Sequence, residues 1–450
     1  MIEVNNAAEV TILSSVFRRS GEDGIRVRNV ADPARVRIVG SVFEANADDG
    51  IECNDGSPTV SGGSFSGNRT SMHLTGTSYP QCDGGASTGI EGVWLNGTTL
   101  QRDGHWQALG VPYVLDGDVV VPAGVTLTID PGVTIKGRYY FNSVIVEGNL
   151  QIAGLTNRPV VWTSIQDDAA GGDTNRDGTE SRPEGNQWGG LLFQPGSTGA
   201  VAHAEFRYGG GELAGMIEAD QPAQLTLDDV RLQHSGKDGI RLRNVTDPAQ
   251  VLLRDCRFEN NADDGVECND ASPTVRSCGF TGHGAAAIRL TRTSYPVFDG
   301  SLMTAGEGIW LNPTTLSRSG AFRYAGIPYV LDGDLVIPEG VRLAIEAGVI
   351  IKGTYYFNSI SVSGQLDILG TESQPVWLTA YADDVGGDTN RDAGEQEPAR
   401  DAWGGIVFQN GSSGSLRHVN LRYGGGETTA LLEIRSAPVV VERCSFRNSG

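Results

Sequence analysis

Hydrophobic and polar residues alternate in short runs along this chain, and the runs end at glycine, asparagine or aspartate. Arg35-Val36-Arg37-Ile38-Val39 alternates strictly, whereas Val251-Leu252-Leu253 is continuously apolar. Period-two alternation predicts half-buried strands, and short apolar runs between turn residues predict buried ones. A second style of strand fills Val119 to Gly137. There β-branched runs are separated by Pro122-Ala123-Gly124 and Pro131-Gly132 corners, and the pattern recurs from Leu335 to Gly353. No stretch carries a convincing helical period.

The runs are evenly spaced. Phe17, Phe43 and Phe65 each close one run, at intervals of 26 and 22 residues, and their counterparts are Leu232, Phe258 and Phe280. Many short strands at this period predict an all-β parallel solenoid, in which each coil buries its inner face on the next.

A longer period encloses the short one. Ser20-Gly21-Glu22-Asp23-Gly24-Ile25-Arg26 returns as Ser235-Gly236-Lys237-Asp238-Gly239-Ile240-Arg241, a shift of 215 residues. Arg207-Tyr208-Gly209-Gly210-Gly211-Glu212 returns at the same shift as Arg422-Tyr423-Gly424-Gly425-Gly426-Glu427. Val439 to Phe446 echoes Val10 to Phe17 and opens part of a third copy. Such a period decides architecture before any local argument does. The predicted organisation is the end of a preceding unit over 1–19, one repeat unit over 20–234, and a second over 235–449 continuous with the first. Met1 falls in the phase of Met216, and neither a basic start nor an apolar run follows it. Residue 1 is therefore expected to lie inside a longer exported protein.

The net charge of −21 disfavours nucleic acid and anionic membrane surfaces and favours divalent cations. No apolar run approaches the length of a membrane span. Asp173-Thr174-Asn175-Arg176-Asp177-Gly178 is the sharpest chemical signal. Calcium takes about six to eight oxygen ligands, and alternate side chains of a tight loop supply them. Thr179 offers a carbonyl, and Glu184 stands where an EF-hand loop carries its closing carboxylate. The second unit repeats Asp388, Asn390 and Asp392, but Ala393 stands where Gly178 was, followed by Gly394. Glu397 or Asp401 would close that loop, and Asp167-Asp168 and Asp383-Asp384 would complete the shells. Two Ca²⁺ sites are expected, in loops inserted between coils.

Phe43-Glu44-Ala45-Asn46-Ala47-Asp48-Asp49-Gly50-Ile51 and Phe258-Glu259-Asn260-Asn261-Ala262-Asp263-Asp264-Gly265-Val266 resemble repeats of the right-handed parallel β-helices of the pectin-lyase-like superfamily. Leu115-Asp116-Gly117-Asp118 through Ile135-Lys136, and Gln187-Trp188-Gly189-Gly190 with Phe206-Arg207-Tyr208-Gly209-Gly210, are similar to segments of large bacterial surface proteins of that type. The resemblance covers most of both units and implies a right-handed parallel β-helix. It does not imply one activity, because the superfamily holds lyases, hydrolases, adhesins and inert stalks. The expected function is an extracellular or cell-surface structural repeat without catalysis: a rigid calcium-braced stalk, fibre or filament. Its expected partners are neighbouring copies or units, end to end. A carbohydrate-active enzyme or glycan-binding module on the same scaffold is the alternative.

Other signals have a plainer reading. Cys256, Cys278 and Cys444 each precede a Phe by two residues, in a slot that Ser15, Ser41 and Val230 also fill, so packing is expected rather than disulfides. Cys53 and Cys268 read likewise, and Cys82 has Phe298 as its counterpart. Asn54 and Asn269 are expected to stabilise turns, and Asp48-Asp49 and Asp263-Asp264 to lie on solvated turns. Gly282-His283-Gly284 resembles a piece of the polygalacturonase pattern, but the first unit has Gly67-Asn68-Arg69 there. His203 and His418 are expected at surface or turn positions. Tyr139-Tyr140-Phe141 and Tyr355-Tyr356-Phe357 read as strands with one or two rings outward, open to sugar rings or to a neighbouring protomer.

Overall fold

A computed structural model describes residues 1–6, 8–82, 92–299, 303–304 and 308–449. Among these there is no helix. The chain divides into two units, Met1–Gly239 and Ile240–Gly450.

In the first unit the strands stack coil on coil in three parallel ladders. One runs through Ile2–Asn5, Ile25–Val30, Ile51–Gly56, Met72–Thr75 and Val93–Thr99. It continues through Tyr113–Val121, Thr134–Gly137 and Val160–Ser164. A second joins Val10–Leu13, Val36–Val39 and Thr59–Ser61, and a third joins Val16–Arg18, Val42–Glu44 and Ser64–Ser66. The second unit repeats the scheme. Its first ladder contains Val266–Asn269, Ile288–Thr291, Ile309–Leu311, Tyr329–Leu331, Ile350–Gly353, Val376–Ala380 and Val419–Arg422.

The register follows the phenylalanine spacing. Phe17 pairs with Phe43 and Phe43 with Phe65. Their rings stack at 5.1 and 4.8 Å between centroids, within 10° of parallel. Phe258 and Phe280 pair likewise at 5.0 Å. Offset stacking adds to the area these rings bury. Beneath the stack there is no room for side chains: a Cβ on Gly50 would lie 2.6 Å from the Phe65 ring.

Polar ladders fill the corners. Asn68 Oδ1 accepts from the Asn46 amide at 3.2 Å and from Asn46 Nδ2 at 2.9 Å, and Asn68 Nδ2 donates to the Phe43 carbonyl at 3.0 Å. In the second unit the same step is made by His283, whose Nδ1 accepts from the Asn261 amide at 3.4 Å. His203 and His418 sit at turns in the left-handed conformation, with φ of 47° and 48°. Asn54 and Asn269 do not supply the left-handed turn residue; Asp55 and Asp270, one position later, do, at φ of 49° and 50°. Cys53, Cys256, Cys268 and Cys278 are buried free thiols, and Cys444 is a half-buried one. The Cys82 side chain lies outside the described residues.

Asp49 and Asp264 depart from the expectation of solvated turns, because both are buried. Asp49 accepts from Thr70 Oγ1 at 2.7 Å and pairs with Arg69 and His73. Asp264 accepts from the Ala286 amide at 2.9 Å and pairs with Arg289. A buried carboxylate is tolerable only with such partners.

Phe43 stands between two rings and is fully buried, whereas Phe17 is partly exposed. Phe43→Ala is expected to lower the unfolding free energy by about 3–5 kcal/mol, and Phe17→Ala by clearly less. Denaturant titration checks this, and equal losses at the two positions would refute the stacked core.

Candidate metal centre

The acidic segments lie outside the ladders. Each follows a strand of the first ladder, Val160–Ser164 in one unit and Val376–Ala380 in the other, and covers that ladder's outer side. Gly137, at the end of its strand, leaves space on the inner face for the buried tryptophan that ends the segment: a Cβ there would lie 2.2 Å from Trp188 Cβ, and one on Gly353 would lie 2.5 Å from Trp403 Cβ.

In the first unit the loop turns on Asp173. Its carboxylate accepts from the amides of Asp177 at 3.2 Å and Gly178 at 3.0 Å. Asn175 Nδ2 donates to Asp177 Oδ2 at 2.8 Å and to Ser181 Oγ at 3.1 Å. Asp388 accepts from Asp392 and Ala393 at 3.2 and 2.9 Å, and Asn390 Nδ2 donates to Asp392 at 2.6 Å. Ala393 takes the left-handed conformation at φ of 57°, as Gly178 does at 70°. The missing glycine therefore leaves the turn intact, at the strain an alanine carries there.

Asp168, Asp173 and Asp177 each bring one carboxylate oxygen within 4.8 Å of the others, and Asp384, Asp388 and Asp392 do the same. Asp168 Oδ1, Asn175 Oδ1, Asp177 Oδ1 and Asn390 Oδ1 are buried and have no hydrogen-bond partner among the described residues. The donor set is all oxygen, which suits a hard cation. Burial, reinforced by the charge of Asp173, raises the Asp168 carboxyl above its ordinary value.

The other expected ligands are placed differently. Thr179 and Glu184 are exposed, and Glu184 does not join the acidic cluster. Gly394 reaches the second cluster through its amide, which donates to Asp392 Oδ1 at 2.8 Å, and Glu397 is exposed and apart. In an EF-hand a following helix brings position twelve back to the ion. Here no helix follows, so Glu184 and Glu397 stay outside, and Asp168 and Asp384 enter from upstream.

The foundation of each loop is a lysine. Lys136 and Lys352 have no exposed surface. Lys136 Nζ donates to the Gly172 carbonyl at 2.6 Å. Lys352 Nζ donates to the Gly387 carbonyl at 2.6 Å and to Thr389 Oγ1 at 3.0 Å. Burial pushes each ammonium down to about 8, against the pull of the neighbouring aspartates. Beside each lysine, Thr163 donates to Asp167, which pairs with Arg207, and Thr379 donates to Asp383, which pairs with Arg422. The loop tips are fixed to earlier coils: Arg176 donates to the Asn68 carbonyl at 2.8 Å, and Arg391 to the His283 carbonyl at 3.5 Å.

A groove opens beside each loop. That of the first unit measures about 440 Å³ and includes Arg69, Trp94, Arg138, Tyr139 and Asn175 in its lining. That of the second measures about 400 Å³ and includes Arg289, Trp310, Tyr381 and Asn390. Arg138 lies 4.9 Å over Trp94 and 4.7 Å over Tyr139 while holding Asp116 with two bonds of 2.9 Å. The aromatic segments differ from the expected strands. Each forms a turn after its strand, with all three rings outward. Tyr140 and Tyr356 are 60% and 61% exposed.

These observations define a parallel β-solenoid with inserted acidic loops. The family model for the right handed beta helix region matches residues 215–324, and that for the pectate-lyase like beta helix domain matches 106–238 and 323–436. The latter spans more than half of the chain, so the chain belongs to the pectate-lyase-like β-helix domain family. No curated protein and no solved structure matches it. No helix among the described residues is long and apolar enough to cross a membrane.

Burial, with Arg391 nearby, pushes the His283 imidazole down from 6.5 to about 4. The unfolded side chain binds its proton first, so this contribution to stability is complete above pH 6.5 and is lost as pH falls towards 4. His283→Asn, which copies Asn68, is expected to remove about 3 kcal/mol of the acid destabilisation between neutral pH and pH 4. Denaturant titrations at the two pH values measure it, and an unchanged acid slope would refute it.

Proposed function

We propose that the chain is a structural repeat of an extracellular or cell-surface stalk, fibre or filament, braced by calcium in its inserted loops. The observation that carries this reading is that one acidic loop, with unpartnered oxygens, is built twice on the same buried lysine, threonine and aspartate and the same half-buried arginine. Duplication of a support with its loop suits a module used in series. The proposed partners are further units or copies stacked end to end. The proposed role requires no catalysis.

Calcium that binds only the folded state raises its stability by mass action. Calcium is expected to raise the melting temperature and chelation to lower it, with Asp173→Ala plus Asp388→Ala removing the response. Titration calorimetry with no heat, together with no thermal shift, would reduce the loops to acidic turns.

A second reading, glycan contact, is favoured by the paired aromatic turns. Tyr139 and Phe141 stack at 5.3 Å, Tyr355 and Phe357 at 5.5 Å, and in each turn a further tyrosine stands edge-on. Such rings offer faces to sugars. Under this reading Tyr140→Ala with Tyr356→Ala abolishes retention on a polysaccharide column and changes stability by less than about 0.5 kcal/mol. Unchanged retention, or none in the parent protein, would exclude it.

A further inference from the structure

A lysine with no exposed surface requires a reason, because burying an ammonium is costly unless it is paired and hydrogen-bonded. Lys136 lies in the ladder between Val114 and Thr163, and Lys352 between Val330 and Thr379. Among the described residues neither has a salt-bridge partner within 4.0 Å, and both reach instead for main-chain carbonyls of the covering loop. Those carbonyls, Gly172 and Gly387, immediately precede the first loop aspartate of each unit. Asp167, Asp168 and Asp173 act on Lys136 through their charge, and Asp383, Asp384 and Asp388 act on Lys352. One positive group thus acts on two carboxylates of each acidic cluster, Asp168 and Asp173 in one unit and Asp384 and Asp388 in the other, and is tied to the backbone just before the second of them.

We propose that Lys136 and Lys352 are resident counterions that hold the acidic loops in their ligand-presenting form when no metal is bound. They are positioning residues, and this role rests on the calcium reading of the loops. Without a cation, three carboxylates within 4.8 Å of one another repel, and the loop would open. The ammonium offsets that repulsion from below, and its bond to Gly172 or Gly387 fixes the start of the turn. A bound calcium ion supplies the same attraction from within the cluster, so lysine and ion do one job in two states.

Limited trypsin digestion of the whole chain tests this, with cleavage after Arg176 and after Arg391 followed separately by mass spectrometry. Both arginines lie in the loops and are exposed. In chelator, Lys136→Met is expected to speed cleavage after Arg176 about tenfold or more. Cleavage after Arg391 stays at the parent rate, as an internal control, and calcium restores resistance after Arg176. Cleavage at the parent rate in chelator would overturn the proposal, and so would cleavage that stays fast in calcium when equilibrium dialysis shows that the variant binds the ion. If Lys136→Met unfolds the chain, seen as loss of the β-sheet circular dichroism signal, Lys136→Gln replaces it. That variant keeps a donor for Gly172 but no charge, and resistance equal to the parent would overturn the counterion role. If the parent binds no calcium while the variant is still cut faster, the calcium reading falls and the part of the proposal that equates lysine with ion falls with it; the tether alone stands.

Discussion

The hydrogen-bond ladder between successive coils is the constraint on which the rest depends. Parallel pairing fixes which residue lies above which, and a slip of one position would turn inner side chains outward. Every inner slot must therefore hold something that stacks on its neighbour. Phe43 stacks on Phe17 and Phe65 in register. Slots are defined by what they satisfy rather than by residue type. Asn68 and His283 differ in size and chemistry, yet each accepts the amide of the asparagine one coil earlier. That shared duty gives His283 a structural occupation, whatever its flanking glycines resemble.

The ladder also explains why chemistry collects outside it. A coil that must stack on both sides leaves little freedom for unusual side chains. The acidic segments after Val160–Ser164 and Val376–Ala380 escape that demand, but they also lose the hydrogen bonds that order a strand. Their order is supplied from the sheet beneath and from the loop's own side chains. Lys136, Thr163, Asp167 and Arg207 form the base, Asp173 closes the turn on its own amides, and Arg176 fixes the tip. Buried polar groups of this kind stabilise only when each has its partner, and all of these contacts recur in the second unit.

How much was legible in the sequence follows from the same division. Coil spacing, strand character and the free cysteines were readable, because they depend on local pattern repeated in register. The aromatic turns were misread as strands, because alternation at Tyr139 and Tyr355 looks the same in a tight turn that places all three rings outward. Asp49 and Asp264 look like solvated turn residues until the arginine of a later coil is seen to reach them. Lys136 carried a faint signal: Ile135-Lys136-Gly137 recurs as Ile351-Lys352-Gly353, and in the second copy the lysine follows the apolar run Val349-Ile350-Ile351. A charged residue at the same place in both copies, once at the end of an apolar run, points to a buried partner.

The closure of the acidic loops shows the limit most clearly. The pattern of Asp173, Asn175 and Asp177 encodes a turn that aims oxygens inward, and the structure contains that turn. The pattern does not encode what completes the circle, because that depends on which chain segment passes nearby. In a helix-flanked loop the downstream chain returns. In a loop seated on a ladder the upstream chain is already there, having just left the strand. Asp168 lies four residues past the end of Val160–Ser164, so the ladder itself delivers the third carboxylate. The same reasoning places Asp384, and not Glu397, in the second acidic cluster, and it makes the buried strand, rather than the acidic motif, the element that determines the geometry of that cluster.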